Sequence, residues 1–325
     1  MTALAPFVAA AARGPGRGRT LTRDEARAAM GLMLAGDEPE ATGALLMVLR
    51  YRGETAEEIA GFTEGCRAPA WEGIGAGLDW PSYAAGRTRG APLFLAAAAL
   101  VARAGVPVLL HGYNSHQKGE ASVAEALPRL GIPVVHSPAA AHHALALHRI
   151  AYAPLADVHP GVLRLLELRA KLGLRSCVNT VARMMNPGAA PAAVQGVFHP
   201  PYRGLQTDAA ALLGRRDVAI IKGGGGEFEA NPSKGVEIWG LSDGAPWDEA
   251  TQPTEAARRL HDPDAPMPHP ADVLSGHGGD AFAEDTVRLT AALALRAATR
   301  LPLPEARARI DAVWTERRPV MRRTA

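Results

Sequence analysis

VPVLLHG at residues 106–112 is a short apolar run that ends on glycine, and DVAIIKG at 217–223 has the same form. A strand with one face in water alternates apolar and polar side chains, so uninterrupted runs of this length read as strands buried on both faces. IPVVHS at 132–137 reads as a third strand on the same grounds. Between these runs, Pro92 to Ala104 and Ser122 to Leu130 read as helices. Strands alternating with helices predict an α/β sheet covered by helices on both faces.

Upstream the period changes. Thr22 and Glu25 form a capping box, followed by apolar residues at Ala26, Met30, Leu32 and Met33 and a stop near Gly36. A second helix runs through Leu45, Leu46 and Leu49 to Gly53, and a third opens on the capping box of Thr55 and Glu58. Three helices of about four turns each are therefore predicted in the first 68 residues. Pro160 to Met185 is also helical and poor in strands, which predicts that about 160–187 rejoins the N-terminal helices. The expected division is a flexible arm over 1–20, a small discontinuous helical domain over 21–70 and 160–187, and an α/β domain over 71–159 and 188–325. The arm is expected because Arg13, Arg17 and Arg19 stand among glycines with little apolar surface to bury.

The 325 residues are 47% hydrophobic with a formal charge of +2, enough apolar content for a substantial core and too little charge for a nucleic-acid tail. Cys66 and Cys177 stand far apart, which gives neither a disulfide framework nor zinc spacing and predicts a reducing, cytoplasmic setting. No apolar stretch is long enough for a membrane span, and no membrane partner is expected.

Chemistry-bearing residues point to anions. Arg87 and Arg89 lie in a glycine-flanked loop just before a helix, where two guanidinium groups and the helix dipole can grip phosphate, or where a solvated loop can simply carry charge. Lys118 follows a strand, at the carboxyl end where ligands gather in open α/β sheets. Arg164, Arg169, Lys171, Arg175 and Arg183 form the densest basic stretch; Arg164 and Arg175, eleven residues apart, are expected on one helix face, and ordinary helix solvation accounts for such a pattern as well. His111 closes an apolar strand before Gly112, as a satisfied sheet-end histidine or a ligand contact. His142, His143 and His148 have no partners at metal spacing and read as surface or packing residues. Gly223, Gly224 and Gly225, with Gly226, either cradle phosphate or turn the chain tightly. Glu227 and Glu229 alternate, and on an extended segment they would point the same way and make a weak metal site. Hydrolase and dehydrogenase readings have no support, since no nucleophile elbow or dinucleotide fingerprint is present.

The run LTRDEARAAMGLMLAGDEPEATGALLMVLRYRGETAEEIAGFTEGCRA (21–68), with VARAGVPVLLHG (101–112), IAYAPLADVHPGVLRLLELRAKLGLRSCVNTVARMMNP (150–187) and VQGVFHPPY (194–202), resembles the anthranilate phosphoribosyltransferase family block by block. The resemblance implies a small helical domain, a larger α/β domain with a mixed, mostly parallel central sheet, and a homodimer through the helices. It also implies Mg2+, a phosphorylated sugar donor, and roles for Arg169, Arg175 and Asn114 facing an aromatic acceptor.

The donor motifs depart from the family's. GLDWPSYAAGRTRGAPLF (77–94) replaces the Gly-Thr-Gly-Gly-Asp turn and the Asn-x-Ser-Thr that follows, with Ala91, Leu93 and Phe94 where pyrophosphate ligands would lie. Leu110 replaces the lysine of the Lys-His-Gly-Asn block, and KGGGGEFEANPSK (222–234) lacks the paired Asp-Glu that holds magnesium. Pro81-Ser82-Tyr83, Gly86-Arg87-Thr88-Arg89 and Asn231-Pro232 resemble a bacterial branch of the family, some of whose members bind nucleic acid without sequence preference. Two functions are thus expected: pentosyl transfer through a degenerate donor site, or sequence-independent binding of nucleic-acid phosphates by Arg87, Arg89, Lys118 and the helix around Arg164 to Arg175, with bases stacked on Tyr83 and Tyr113.

Overall fold

The structure, a computed structural model, describes residues 3–14, 16–83, 90–113, 122–260 and 265–316. Four helices open it: α1 (Ala5–Ala12), α2 (Arg23–Ala35), α3 (Pro39–Arg52) and α4 (Ala56–Gly65). Both sequence-read capping boxes are present, Thr22 with Glu25 and Thr55 with Glu58, and α2 ends on left-handed Gly36. The expected flexible arm is corrected. Leu4 and Ala11 are buried, and the carboxylate of Glu38 accepts the amides of Ala3 and Leu4, so the alanine-rich run starts a helix and packs against α3.

Seven strands form one sheet in the order β3-β2-β1-β4-β5-β6-β7: β1 (Leu78–Ser82), β2 (Val108–Gly112), β3 (Ile150–Pro154), β4 (Ala192–Val197), β5 (Asp217–Lys222), β6 (Glu237–Ser242) and β7 (Ala245–Ala250). The first five are parallel, and β6 runs antiparallel to both β5 and β7. Interleaved helices are α5 (Phe94–Arg103), α6 (Val123–Leu130), α7 (Pro138–His148), α8 (Leu155–Val158), α9 (Pro160–Glu167), α10 (Arg169–Leu172), α11 (Val178–Met184), α12 (Tyr202–Leu212), α13 (Pro270–Ser275), α14 (Ala281–Thr299) and α15 (Leu303–Thr315). The 132–137 run makes only one bridge, Val134 to Tyr152, while Ile150–Pro154 is the third parallel strand. Proline at 133 has no N–H for a ladder, and Ser137 already caps α7.

Strand side chains divide by parity. Leu78, Trp80, Leu110 and Ile221 enter a core with α5, α14 and α15, whereas Leu109, Val218 and Ile220 enter one shared with the N-terminal helices. α9 packs on α2 and α11 on α4, which makes the helical domain discontinuous. Arg164 and Arg175 do not share a helix: the chain breaks after Glu167 and turns through left-handed Gly173, and Arg164 donates to the carbonyl of Leu34.

Glu58 holds the helical domain together. Its fully buried carboxylate accepts the amides of Leu21 at 2.8 Å and Thr55 at 2.9 Å and the guanidinium of Arg52. It thereby ties the entry to α2, the end of α3 and the start of α4. Glu58→Ala leaves a partly buried arginine and two amides without their acceptor, and is expected to cost about 3 kcal/mol in equilibrium urea unfolding. A loss below about 1 kcal/mol, the scale of a surface pair, would contradict this assignment.

Candidate functional site

From β1 the chain moves outward to β2 and β3, then returns to the other side of β1 for β4 and β5. The order reverses between β1 and β4, and in open α/β sheets the crevice at the carboxyl ends of such strands is where ligands bind. β1 pairs with β4 only through Leu78 with Ala192 and Asp79 with Ala193. Beyond Asp79 the two strands part, and Arg183 of α11 together with the loop after β5 enters the opening. Arg183, 9% exposed, donates to the carbonyls of Tyr83 at 3.0 Å and Asn179 at 2.9 Å. Burial pulls its pKa down while Glu227 and Tyr83 pull it up, so two charged neighbours and two carbonyls offset the loss of water.

Next to this opening lies a buried polar chain. Tyr83 Oη and His111 Nδ1 are 2.7 Å apart, and His111 Nε2 stands 3.1 Å from Asp79 Oδ1 but poorly aligned for a hydrogen bond. All three side chains are buried, and burial raises the Tyr83 phenol well above its usual value. His111 is therefore a packed sheet-end residue. Tyr83 is enclosed by His111 and the Arg183 contact, so the expectation that it would stack on bases in an open cleft is corrected. Ser82 pairs with Gly112 in the sheet, and a Cβ at Gly112 would lie 2.1 Å from the Ser82 carbonyl, which requires glycine there.

At the start of α5, aromatic side chains and a carboxylate fill the space. Trp80 stacks on Phe94 with centroids 6.5 Å apart and meets Phe228 edge-on at 5.5 Å. All three are fully buried. Glu229, also fully buried, accepts the amide of Phe94 through Oε2 at 2.9 Å, placing a carboxylate at the positive end of a ten-residue helix. The expected Glu227 and Glu229 pair does not form. The amide of Glu229 donates to the Glu227 carbonyl at 2.9 Å, closing a tight turn in place of the extended segment that would align the two carboxylates. Glu227 acts on Arg183, and Glu229 on α5. Among the described residues no group of three or more His, Cys, Asp or Glu is arranged to hold a metal.

Two clefts open around the strand ends. The first, a cavity of about 70 Å³, lies between the helical and α/β parts and is lined by Arg50, Arg175, Asn179, Arg183, His199 and Tyr202, among others. Burial lowers the pKa of Arg175, and Arg169, Arg183 and Arg50 lower it further. No carboxylate among the described residues pairs with Arg175. Tyr202 donates to Glu54 at 3.2 Å, and burial raises the Glu54 carboxyl above its usual range. The second cleft, of about 730 Å³, is bordered by Lys222, Gly223, Gly224, Gly225, Lys234 and Arg259. Phe198, 51% exposed, and His199 meet edge-on at 4.8 Å and line both clefts as the ridge between them.

The structure thus groups Ser82, Tyr83, His111 and Gly112 in a buried cluster, sets Arg175, whose charge Arg169 opposes, at the first cleft, and sets the glycines at the second. Arg87, Arg89, Asn114 and Lys118 lie outside the described residues. His142, His143 and His148 are exposed on α7. Sequence reading missed Asp79, Arg50, Phe198, Tyr202, Lys222, Lys234 and Arg259. Asp79 carried a signal, a carboxylate inside an apolar strand run; the others become visible only when separate elements converge.

The chain matches a glycosyl transferase family model in two parts, the helical bundle domain at residues 14–70 and the a/b domain at 92–309. It is 32% identical over 234 residues to the anthranilate phosphoribosyltransferase of Geobacillus kaustophilus, covering 70% of this chain and 68% of that one. The crystal structure of anthranilate phosphoribosyltransferase from Thermus thermophilus superposes with a TM-score of 0.79 at 24% identity, covering 97% of this chain and 94% of that one. The Saccharomyces cerevisiae enzyme in complex with PRPP and Mg gives 0.76 at 16% identity, covering 96% and 93%.

Phe228→Ala tests whether the space at the α5 start is packed. A cavity there is expected to cost about 3–5 kcal/mol in guanidinium unfolding. A loss under about 1 kcal/mol would mean that the ring lies against an open pocket.

Proposed function

This chain belongs to the glycosyl transferase family of the anthranilate phosphoribosyltransferases, and on that footing we propose that it transfers a pentosyl group from a phosphorylated sugar to an anionic aromatic acceptor. The observation that carries this reading is Arg175, partly buried in the first cleft with, among the described residues, only arginines acting on its charge. Such a group lacks its counter-ion, and an acceptor carboxylate supplies one in a forked, charge-assisted contact. Asn179 and Tyr202 add polar contacts on the same wall. The chemistry needs no protein nucleophile: it needs donor and acceptor held in line and charge placed to receive the departing phosphate.

The donor is held differently from that of the relatives. Trp80, Phe94 and Phe228 fill the α5 start, and the carboxylate of Glu229 takes the place an incoming anion would occupy. With PRPP and anthranilate, turnover is therefore expected to fall well below about 1 per second, the low end of ordinary enzyme rates. Release of phosphate or pyrophosphate from a panel of phosphorylated pentoses, each paired with aromatic carboxylic acids, measures the reaction. Arg175→Ala should weaken the acceptor's apparent affinity about tenfold or more, as loss of a charge-assisted hydrogen bond does. No release with any pair at millimolar concentration would remove the transferase reading.

The reading includes a cytoplasmic homodimer joined through the helices. Tyr51 and Leu174, 96% and 54% exposed, stand beside cleft residues Arg50 and Arg175 in the sequence and offer apolar surface for a second copy. Both cysteines are free and buried, in keeping with a reducing compartment. Among the described residues no helix is long and apolar enough to cross a membrane.

A second reading, sequence-independent nucleic-acid binding, is favoured by the hollow beside α1, where Arg13, Arg17 and Arg19 converge. Contacts there go to phosphates, so Arg13→Ala with Arg17→Ala is expected to weaken single-stranded oligonucleotide binding for every sequence and to flatten its salt slope by about two phosphate equivalents. Fluorescence anisotropy at several salt concentrations measures both, and an unchanged slope would exclude this hollow.

A further inference from the structure

We infer that Tyr202 and Glu54 are the proton-accepting pair for the acceptor's nucleophilic atom: the Tyr202 oxygen takes the proton of that atom and passes its own to Glu54. This inference rests on the transferase reading and adds to it a route for the proton.

Polarity comes first. Among the described residues lining the first cleft none is a carboxylate. A carboxylate is reached from it through a single hydrogen bond: Tyr202, the first residue of α12, donates its Oη hydrogen to Glu54 Oε2 at 3.2 Å. With that hydrogen committed, the phenol oxygen has only lone pairs left to offer, and it accepts from an N–H or O–H in the cleft. Arg50, Arg175 and Arg183 on the same cleft offer only donors. An acceptor's anionic group therefore goes to the arginines, and its hydrogen-bearing nucleophile to Tyr202.

Charge decides where the proton stops. Glu54 lies between α3 and α4, and burial raises its carboxyl above the ordinary range. Its own amide, Tyr202 and Arg50 pull it down, and Glu58 pushes it up. Cys177 on α11 also faces it, with a thiol pushed up by burial and by Glu54. A carboxylate raised in this way is the better base near neutral pH. Burial and Glu54 also raise the Tyr202 phenol, so a free phenolate is disfavoured and Tyr202 releases its proton as it receives one.

The step balances. The nucleophilic nitrogen or oxygen forms its bond to the sugar's anomeric carbon with its lone pair. The bond from that carbon to the phosphate oxygen breaks, and its electron pair leaves on the phosphate. The nucleophile's proton passes to Tyr202 Oη and the Tyr202 proton to Glu54, which ends neutral. Glu54 is only half-buried, which lets that proton return to water between turnovers.

Steady-state transfer across pH, with direct binding alongside, tests the pair. The wild-type rate is expected to rise with pH through the Glu54 titration and level off above it, because only the ionised carboxylate accepts the proton. Glu54→Gln should lower kcat about a hundredfold, leave the acceptor KM within about threefold, and abolish the rise. Tyr202→Phe should match it, and the double variant should lose no more than either single one. Binding needs no turnover: at least one of the three aminobenzoate isomers should bind about fivefold tighter than benzoate in isothermal titration, the effect of one hydrogen bond. Tyr202→Phe should abolish that preference. Thermal melting checks folding, and should Glu54→Gln unfold, Tyr202→Phe decides alone, since it keeps the ring and its packing. An unchanged kcat and pH profile in Glu54→Gln, or a rise lost in His199→Gln instead, would overturn the proton route and leave the transferase reading. Absence of transfer by the wild type with every donor and acceptor would remove that reading and the proton route with it.

Discussion

Arg183 sits where the sheet comes apart. β1 and β4 pair at their amino-terminal ends and diverge after Asp79, leaving the carbonyls beyond without a partner strand on that side. A guanidinium is well matched to such a gap, because it is planar and carries five donors spread over one plane. Two of its contacts fix Tyr83 at the end of β1 and Asn179 in its own helix, and its charge is balanced by Glu227 from the loop after β5. Helical domain, sheet and glycine loop are referred to one buried cation. The first cleft forms on the exposed side of that cation and the second on the far side of the Phe198–His199 ridge.

The α5 start shows how a ligand's role can pass to the chain itself. Helix N-termini leave amides unpaired and attract anions. Where a substrate supplies the anion, the site must stay open and wet. Here Glu229 is that anion, permanently attached, and Trp80, Phe94 and Phe228 exclude water around it. The arrangement is self-consistent: rings packed against an empty anion site would leave its amides unsatisfied, and a carboxylate without the rings would remain solvated and weakly held.

Much of the fold was legible because local rules and tertiary packing agree. The capping boxes at Thr22 and Thr55, the glycine stops at 36 and 53, and the apolar runs at 108–112 and 217–222 each depend on neighbours within a few residues. The 132–137 run misled because a proline removed the donor that a ladder needs, and β3 was passed over because IAYAP is short and broken by tyrosine and proline. The candidate site was less legible. Arg175 was singled out through the family resemblance and the glycines through their residue type, whereas Phe198, Tyr202 and Arg259 acquire meaning only when segments far apart in the chain meet. The alternation rule applied to Glu227 and Glu229 failed for a local reason, the tight turn that joins them.

The two clefts share a wall, and this constrains any transfer between them. Reacting atoms must approach to about 3–3.5 Å in a near-attack geometry, so donor and acceptor cannot occupy remote pockets. Phe198 and His199 border both spaces. Phe198, 51% exposed, presents an apolar face on this ridge, and His199 stands edge-on beside it. Arg183, donating to the carbonyl of Tyr83 beside the strand ends and lining the first cleft, holds the frame from which both clefts open.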